Sequence, residues 1–302
     1  MLASRQSSAM RTAVLVTDLD NTLYNWKDFY APSFRAMVHA LSRELSLDEN
    51  SLLDDFKRTY SDVESLEYSW SAQALPAVAR LPESERQRLV HIAMVAFGRA
   101  ARRNLSLYDG VRETLAWASS VGLVIVGLTN SPVGLAEWRL GQLGVGRYFY
   151  NLAGWEGPDA LSTATLGAAS VARRRPRWGI RRVPWGLAQS ELKPSPLGLE
   201  RIVKELEVCP SEVCVIGDSL RKDVAVALKV GAIGVWARYG RACKPRNLDT
   251  LRRITHWSEE GQTQEPAVQP TFVVDSFSEL RAVIEPPQMR LPGLSRVPGS
   301  AP

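Results

Sequence analysis

Two aspartates, Asp18 and Asp20, stand two residues apart at the end of the apolar run Ala13-Val14-Leu15-Val16. Side chains alternate along a strand, so residues spaced by two leave its end toward the same side and can face one crevice. One carboxylate in such a pair can attack phosphorus as a nucleophile. Its neighbour, Asp20, can protonate a leaving alkoxide and later take a proton from water. A carboxylate that meets a phosphate dianion needs positive charge close by. Further along the chain, Thr129 follows an apolar run over 122–128, Lys193 precedes Pro194, and Asp218 follows the run 212–217 with Asp223 five residues on. A hard divalent cation such as Mg²⁺ takes carboxylate, carbonyl and water oxygens together with substrate phosphate. Asp18, the main-chain carbonyl of Asp20 and Asp218 are the candidates for that shell. Lys193 offers a charge and three donors to phosphoryl oxygens, and Thr129 with the amides opening the next helix can bind the others. A clamp of this composition is the main catalytic contribution expected for phosphoryl transfer.

The pattern around these residues predicts the elements that hold them. Buried strands are expected over 12–17, 122–128 and 212–217, a shorter one over 232–236, and a last one near 271–274. Helices are expected from Asp109 as N-cap to about Ser120, from Pro132 to a stop at Gly144, over 197–206 and over 222–230. Strands alternating with helices imply a parallel sheet covered on both faces, whose ligands bind beyond the carboxyl ends of the strands. All the residues named above sit at or near those ends. Residues 27–105 differ: apolar positions recur at helical spacing, as in Phe34, Met37, Val38, Leu41 and Leu45, with no strand-like alternation. They read as an all-helical module inserted into the α/β core.

Composition bounds the function classes. The 302 residues contain no apolar stretch near the ~20 needed to span a bilayer. Three Cys (Cys209, Cys214, Cys243) and three scattered His make neither a disulfide framework nor a zinc pattern, which points to a reducing, cytoplasmic setting. Small-hydrophobe packing is the expected role of Cys209 and Cys214. The formal net charge is +5, but residues 160–190 hold six Arg and no acid, so the basicity is local. Residues 1–11 are expected to be a flexible N-terminus, and the Pro/Gly-rich residues 285–302 a disordered tail.

Asp18-Leu19-Asp20-Asn21-Thr22-Leu23, Thr129-Asn130, Lys193-Pro194 and Gly217-Asp218-Ser219 with Asp223 resemble, in order, the four motifs of the haloacid dehalogenase-like (HAD) hydrolase superfamily. The resemblance covers roughly 12–24 and 106–240. It implies a Rossmann-like three-layer α/β/α core over 12–23 and 106–284, with residues 24–105 as a helical cap of the type placed after the first motif. It further implies a phosphatase with Asp18 as the phosphorylated nucleophile and Asp20 as acid/base. Mg²⁺ would lie on Asp18, Asp20 and Asp218, with Asp223 in or just behind the metal shell, and Thr129, Asn130 and Lys193 would hold the phosphate. Asp20 also argues against dehalogenation, because a halide leaves without a proton and an alkoxide does not.

Substrate choice falls to the cap entrance. Trp26, Lys27, Tyr30, Arg35, Tyr68 and Trp70 either face the crevice there or form cap core. A small phosphorylated metabolite fits a site that a cap closes. The Arg-rich excess over 171–189, which includes Trp178 and Trp185, departs from the family pattern. A solvated loop is its expected state. Nucleic-acid or protein binding through it, or phosphotransfer to an acceptor other than water, are the rival functions.

Overall fold

The computed structural model describes residues 10–61, 66, 67, 71–157, 179–255 and 268–286. In chain order its elements begin with β1 (Met10–Arg11) and β2 (Val14–Thr17), followed by five helices: α1 (Trp26–Leu45), α2 (Glu49–Ser61), α3 (Ser71–Ala74), α4 (Pro76–Ala79) and α5 (Glu83–Asn104). Then come α6 (Val111–Ser120), β3 (Val124–Pro132), α7 (Val133–Gln142), β4 (Asn151–Trp155), β5 (Trp185–Leu187), α8 (Leu197–Glu205) and β6 (Val213–Gly217). The chain continues through α9 (Ala225–Val230), β7 (Ile233–Ala237), α10 (Pro245–Ile254), β8 (Phe272–Val274) and β9 (Ile284–Glu285).

Seven strands form one sheet in the order β5-β4-β3-β2-β6-β7-β8, and every pairing is parallel. The two faces of β2 explain the layering. Val14 and Val16 join an apolar cluster with Leu199 and Ile202 of α8 and Val226 of α9, while Leu15 joins Leu115 of α6 and Leu140 of α7 on the opposite face. Each such side chain contributes about 1.5–3 kcal/mol when fully buried. A strand apolar on both faces therefore has its lowest free energy at the sheet centre, and this fixes where Asp18 emerges. The fold is the expected three-layer α/β/α arrangement.

Among the described residues from 26 to 104 there is no strand. Asn25 caps α1 by accepting the Asp28 N–H at 3.0 Å. The face of α1 turned to α5 is aromatic: Trp26 stacks on Tyr30 at 4.5 Å, and Tyr30 meets Phe97 edge-on at 5.6 Å. α1 also packs on α10, where Arg35 donates to Thr250 Oγ1 at 2.6 Å and to Asn247 Oδ1 at 2.9 Å.

Several expectations change. Gly110, in the left-handed region at φ +76, stands at the N-cap of α6 in place of Asp109, and no side chain caps that end. The helix α10 and the strands β4 and β5 carry no clear sequence signal. Part of the Arg-rich segment is edge structure of the sheet: Ile180 and Leu187 are buried, Trp185–Leu187 pairs with β4, and the Arg201 guanidinium lies over the Trp185 ring. Residues 158–178, with Trp178, lie outside the described residues. Both terminal segments contribute to the fold at their inner ends, because Met10–Arg11 pairs in parallel with Ile284–Glu285. Residues 287–302 lie outside the described residues.

Candidate active site

The residues at the strand ends converge. Asp18 continues the β2 line, its N–H donating to the Ile216 carbonyl at 2.9 Å. The chain then folds into a compact turn in which Thr22 and Leu23 donate their N–H groups to the Leu19 carbonyl at 3.2 and 2.9 Å. Asn21 takes φ +60, a left-handed conformation that Asn tolerates better than most side chains, and its Oδ1 accepts the Trp26 N–H at 3.1 Å. This turn is why Asn-Thr follows the aspartates. It brings Thr22 Oγ1 to 3.0 Å from Asp18 Oδ2.

Lys193 reaches the same point from the loop before α8. Its Nζ donates to Asp18 Oδ1 at 2.7 Å and to Asp223 Oδ1 at 2.6 Å, and all three side chains are nearly inaccessible. Asn130 sets the height of that loop. Its amide donates to the Lys193 carbonyl at 2.6 Å and its carbonyl accepts the Lys193 N–H at 2.9 Å. Both polar atoms of the Asn130 side chain thus bond the Lys193 backbone. Thr129 is 1% exposed, and its Oγ1 accepts the Ser131 N–H at 3.1 Å.

Asp218 and Asp223 are brought together by a π-helical turn over Leu220–Val224, a rare geometry that recurs at functional sites. Ser219 caps it by accepting the Lys222 N–H at 3.1 Å, and its own N–H donates to Asp223 Oδ2 at 3.1 Å. Two glycines leave the space. A Cβ on Gly217 would stand 2.1 Å from Asp223 Cγ, and one on Gly240 would stand 2.0 Å from the Asn21 carbonyl oxygen and 2.6 Å from Asp218 Cβ.

Carboxylate oxygens of Asp18, Asp218 and Asp223 lie within 4.8 Å of one another. Burial pushes the Asp18 carboxyl up to about 7, with Asp223 and Asp20 adding to the rise and Lys193 opposing it. Asp218 is raised well above the ordinary carboxylate range by burial and by the charges of Asp18 and Asp223. For Lys193, burial works against the ammonium, but Asp18 and Asp223 outweigh it and hold the group charged. Lys193 thus bonds two of the three acids, and the excess negative charge is what a divalent cation would neutralise. An all-oxygen donor set suits a hard ion such as Mg²⁺. The residues present fit it.

Asp20 stands apart from that group. Its Oδ1 accepts from Tyr24 OH at 2.7 Å and from Arg139 Nη1 at 3.0 Å, and its Oδ2 accepts from Ser131 Oγ at 2.5 Å. Its carboxylate is therefore not one of the three that converge as metal ligands. Arg139 and Glu67 escape a reading of the sequence. Arg139 carries a faint signal, a charge set with Glu137 among the apolar residues of α7, whereas Glu67 carries none. Of the proposed entrance residues, Trp26 and Tyr30 are buried in the helical core, and Arg35 is spent on α10. Lys27 Nζ lies 3.4 Å from the Gly240 carbonyl. Tyr68 and Trp70 lie outside the described residues.

Known proteins resemble the chain in the same terms. A family model described as HAD-hydrolase-like matches residues 192–280, the stretch carrying Lys193, Asp218 and Asp223. A phosphoglycolate phosphatase of Pseudomonas syringae pv. tomato is 24% identical over 230 residues, covering 70% of this chain and 72% of the relative. One from Vibrio parahaemolyticus is 26% identical over 178 residues, covering 59% and 56%. In structure, a 2-haloacid dehalogenase from the same Pseudomonas pathovar superposes with a TM-score of 0.53 at 16% identity, over 90% of this chain and 97% of that one. A HAD phosphatase from Thermococcus onnurineus gives 0.52 at 17%, over 89% and 96%. These two likenesses speak for the fold. Ordered motifs, a shared sheet and relatives over most of the length agree in one direction, and the chain is similar to hydrolases of the haloacid dehalogenase-like superfamily and, among them, to phosphatases.

Proposed function

We propose that the protein is a Mg²⁺-dependent phosphatase that hydrolyses a small phosphomonoester through a phosphorylated Asp18, with residues 24–105 as a cap over the crevice. The observation that carries this reading is the buried contact of Lys193 with both Asp18 and Asp223 beside Asp218. An Asp18 oxygen forms a bond to phosphorus as the ester P–O bond breaks, and Asp20 gives its proton to the departing alkoxide. Asp20 then takes a proton from water, whose oxygen displaces Asp18, so that inorganic phosphate leaves and both acids are restored. Lys193 spends two of its three donors on Asp18 and Asp223 and keeps one for a phosphoryl oxygen. Thr129, within the neighbouring strand β3, is the second phosphate-binding candidate. Asp18, Asp218 and Asp223 would hold Mg²⁺, which when bound would neutralise phosphoryl charge.

The curated relatives named phosphoglycolate phosphatases put small phosphorylated acids first among candidate substrates, ahead of sugar phosphates and nucleoside monophosphates. No helix among the described residues is long and apolar enough to cross a membrane, and with three free cysteines a cytoplasmic setting is proposed. The test is phosphate release from a panel of small phosphomonoesters with and without Mg²⁺. Release should require the metal and vanish in Asp18→Asn. Full activity in that variant would end the proposal.

A further inference from the structure

The proposed acid/base is held by a residue outside every motif. Arg139 is 3% exposed, and its guanidinium lies over the Phe29 ring at 5.1 Å. Nη1 donates to Asp20 Oδ1 at 3.0 Å and to Ser131 Oγ at 3.2 Å, and Nη2 donates to Glu67. Glu67, which lies in the chain between α2 and α3, also accepts the Trp26 indole N–H at 2.7 Å. Arg139 is buried in α7 beside the apolar Ala136 and Leu140 and a second charged residue, Glu137. A buried guanidinium is costly unless its hydrogen bonds are met, and its rigid fork of donors fixes the direction of each bond.

We propose, resting on the phosphatase reading, that Arg139 is the positioning residue for Asp20. It locks the carboxylate rotamer together with Ser131 and Tyr24, and Glu67 anchors Arg139 from the helical module. Asp20 alone would turn about its own side-chain bonds. With one oxygen shared by Arg139 and Tyr24 and the other held by Ser131, it is restricted to one orientation. Misplacing a catalytic group by about 1 Å can cost ~10²-fold in rate.

An aryl phosphate with a good leaving group separates this role from simple packing. Nitrophenolate departs without a proton, so phosphorylation of Asp18 does not need Asp20, but hydrolysis of the aspartyl phosphate does. With p-nitrophenyl phosphate and Mg²⁺, Arg139→Met should turn over about 10²-fold more slowly than the parent and accumulate protein phosphorylated at Asp18, measured by intact mass. Arg139→Lys should recover part of the rate. Glu67→Gln should show the same accumulation with a smaller loss, and these two variants carry the test if Arg139→Met does not fold. A slow variant without accumulated phosphoenzyme, or one as fast as the parent, would overturn the assignment. A parent protein that releases no phosphate from any ester refutes the phosphatase reading itself, and is thereby told apart.

Discussion

Replacing Asp18 by Asn should abolish phosphate release and, in metal-free protein, raise stability above neutral pH. Asp18 is pushed from 3.8 to about 7 by burial, with Asp223 and Asp20 contributing. Between those values the folded chain keeps a proton that the unfolded chain has already released. Stability therefore falls as pH rises through this window; it is intact below about 4 and fully reduced above about 7. At about 1.4 kcal/mol per pKa unit, the loss approaches ~4 kcal/mol at pH 8. The Asp18→Asn substitution removes the charge and keeps the contacts. The new amide oxygen can accept from Lys193 and the NH₂ can donate to Thr22 Oγ1, while Lys193 retains Asp223 at 2.6 Å. Urea unfolding in chelator at about pH 4.5 and pH 8 measures the effect. The variant should gain a few kcal/mol over the parent at the higher pH and little at the lower one. Saturating Mg²⁺ should narrow the gap by stabilising the parent, because a ligand that binds only the folded state adds to its stability. A metal-free parent whose stability stays level or climbs from pH 5 to pH 8, with Asp18→Asn the weaker protein at pH 8, would refute the electrostatic account.

Gly217→Ala places a methyl group where Asp223 stands, so that carboxylate must retreat by about 1 Å and release Lys193. A stability loss of ~1–3 kcal/mol and a raised Mg²⁺ requirement are expected, read from unfolding curves and metal titration of activity. Asn130→Ala removes both hydrogen bonds that clasp the Lys193 backbone, with roughly 1–3 kcal/mol lost and a lower kcat, checked by thermal unfolding and steady-state kinetics. Arg35→Ala loosens α1 from α10 at a partly exposed contact, so a change of about 1 kcal/mol with unaltered phosphate release is expected from the same two measurements.

What can be read in advance is local. A four-residue strand apolar on both faces suits the inside of a covered sheet, and the helical patterns between such strands make that sheet parallel. Aspartates two apart at its end announce chemistry without any knowledge of the rest. Asp109 misleads for the same reason. It is an adequate cap by type, yet the loop turns at Gly110 and that glycine takes the capping position. The clasp of Asn130 on Lys193 could not be read in advance, because the two lie 63 residues apart in the chain. The Arg-rich segment draws the eye by its charge, whereas Trp185 and Leu187 pair along β4 and Ile180 is buried.

By itself the sequence determined the parallel α/β core, the helical insertion and the acids that must gather at the strand ends, because each follows from periodicity or from residues adjacent along the chain. The tertiary structure alone decided what those acids touch. Lys193 pairs with Asp18 across 175 positions, and Arg139 with Asp20 across 119. Hydrogen bonds act over a few ångströms in space and leave no imprint on sequence spacing. Which carboxylates stand in the converging group, and which one is held by a buried arginine, emerges only when the layers pack.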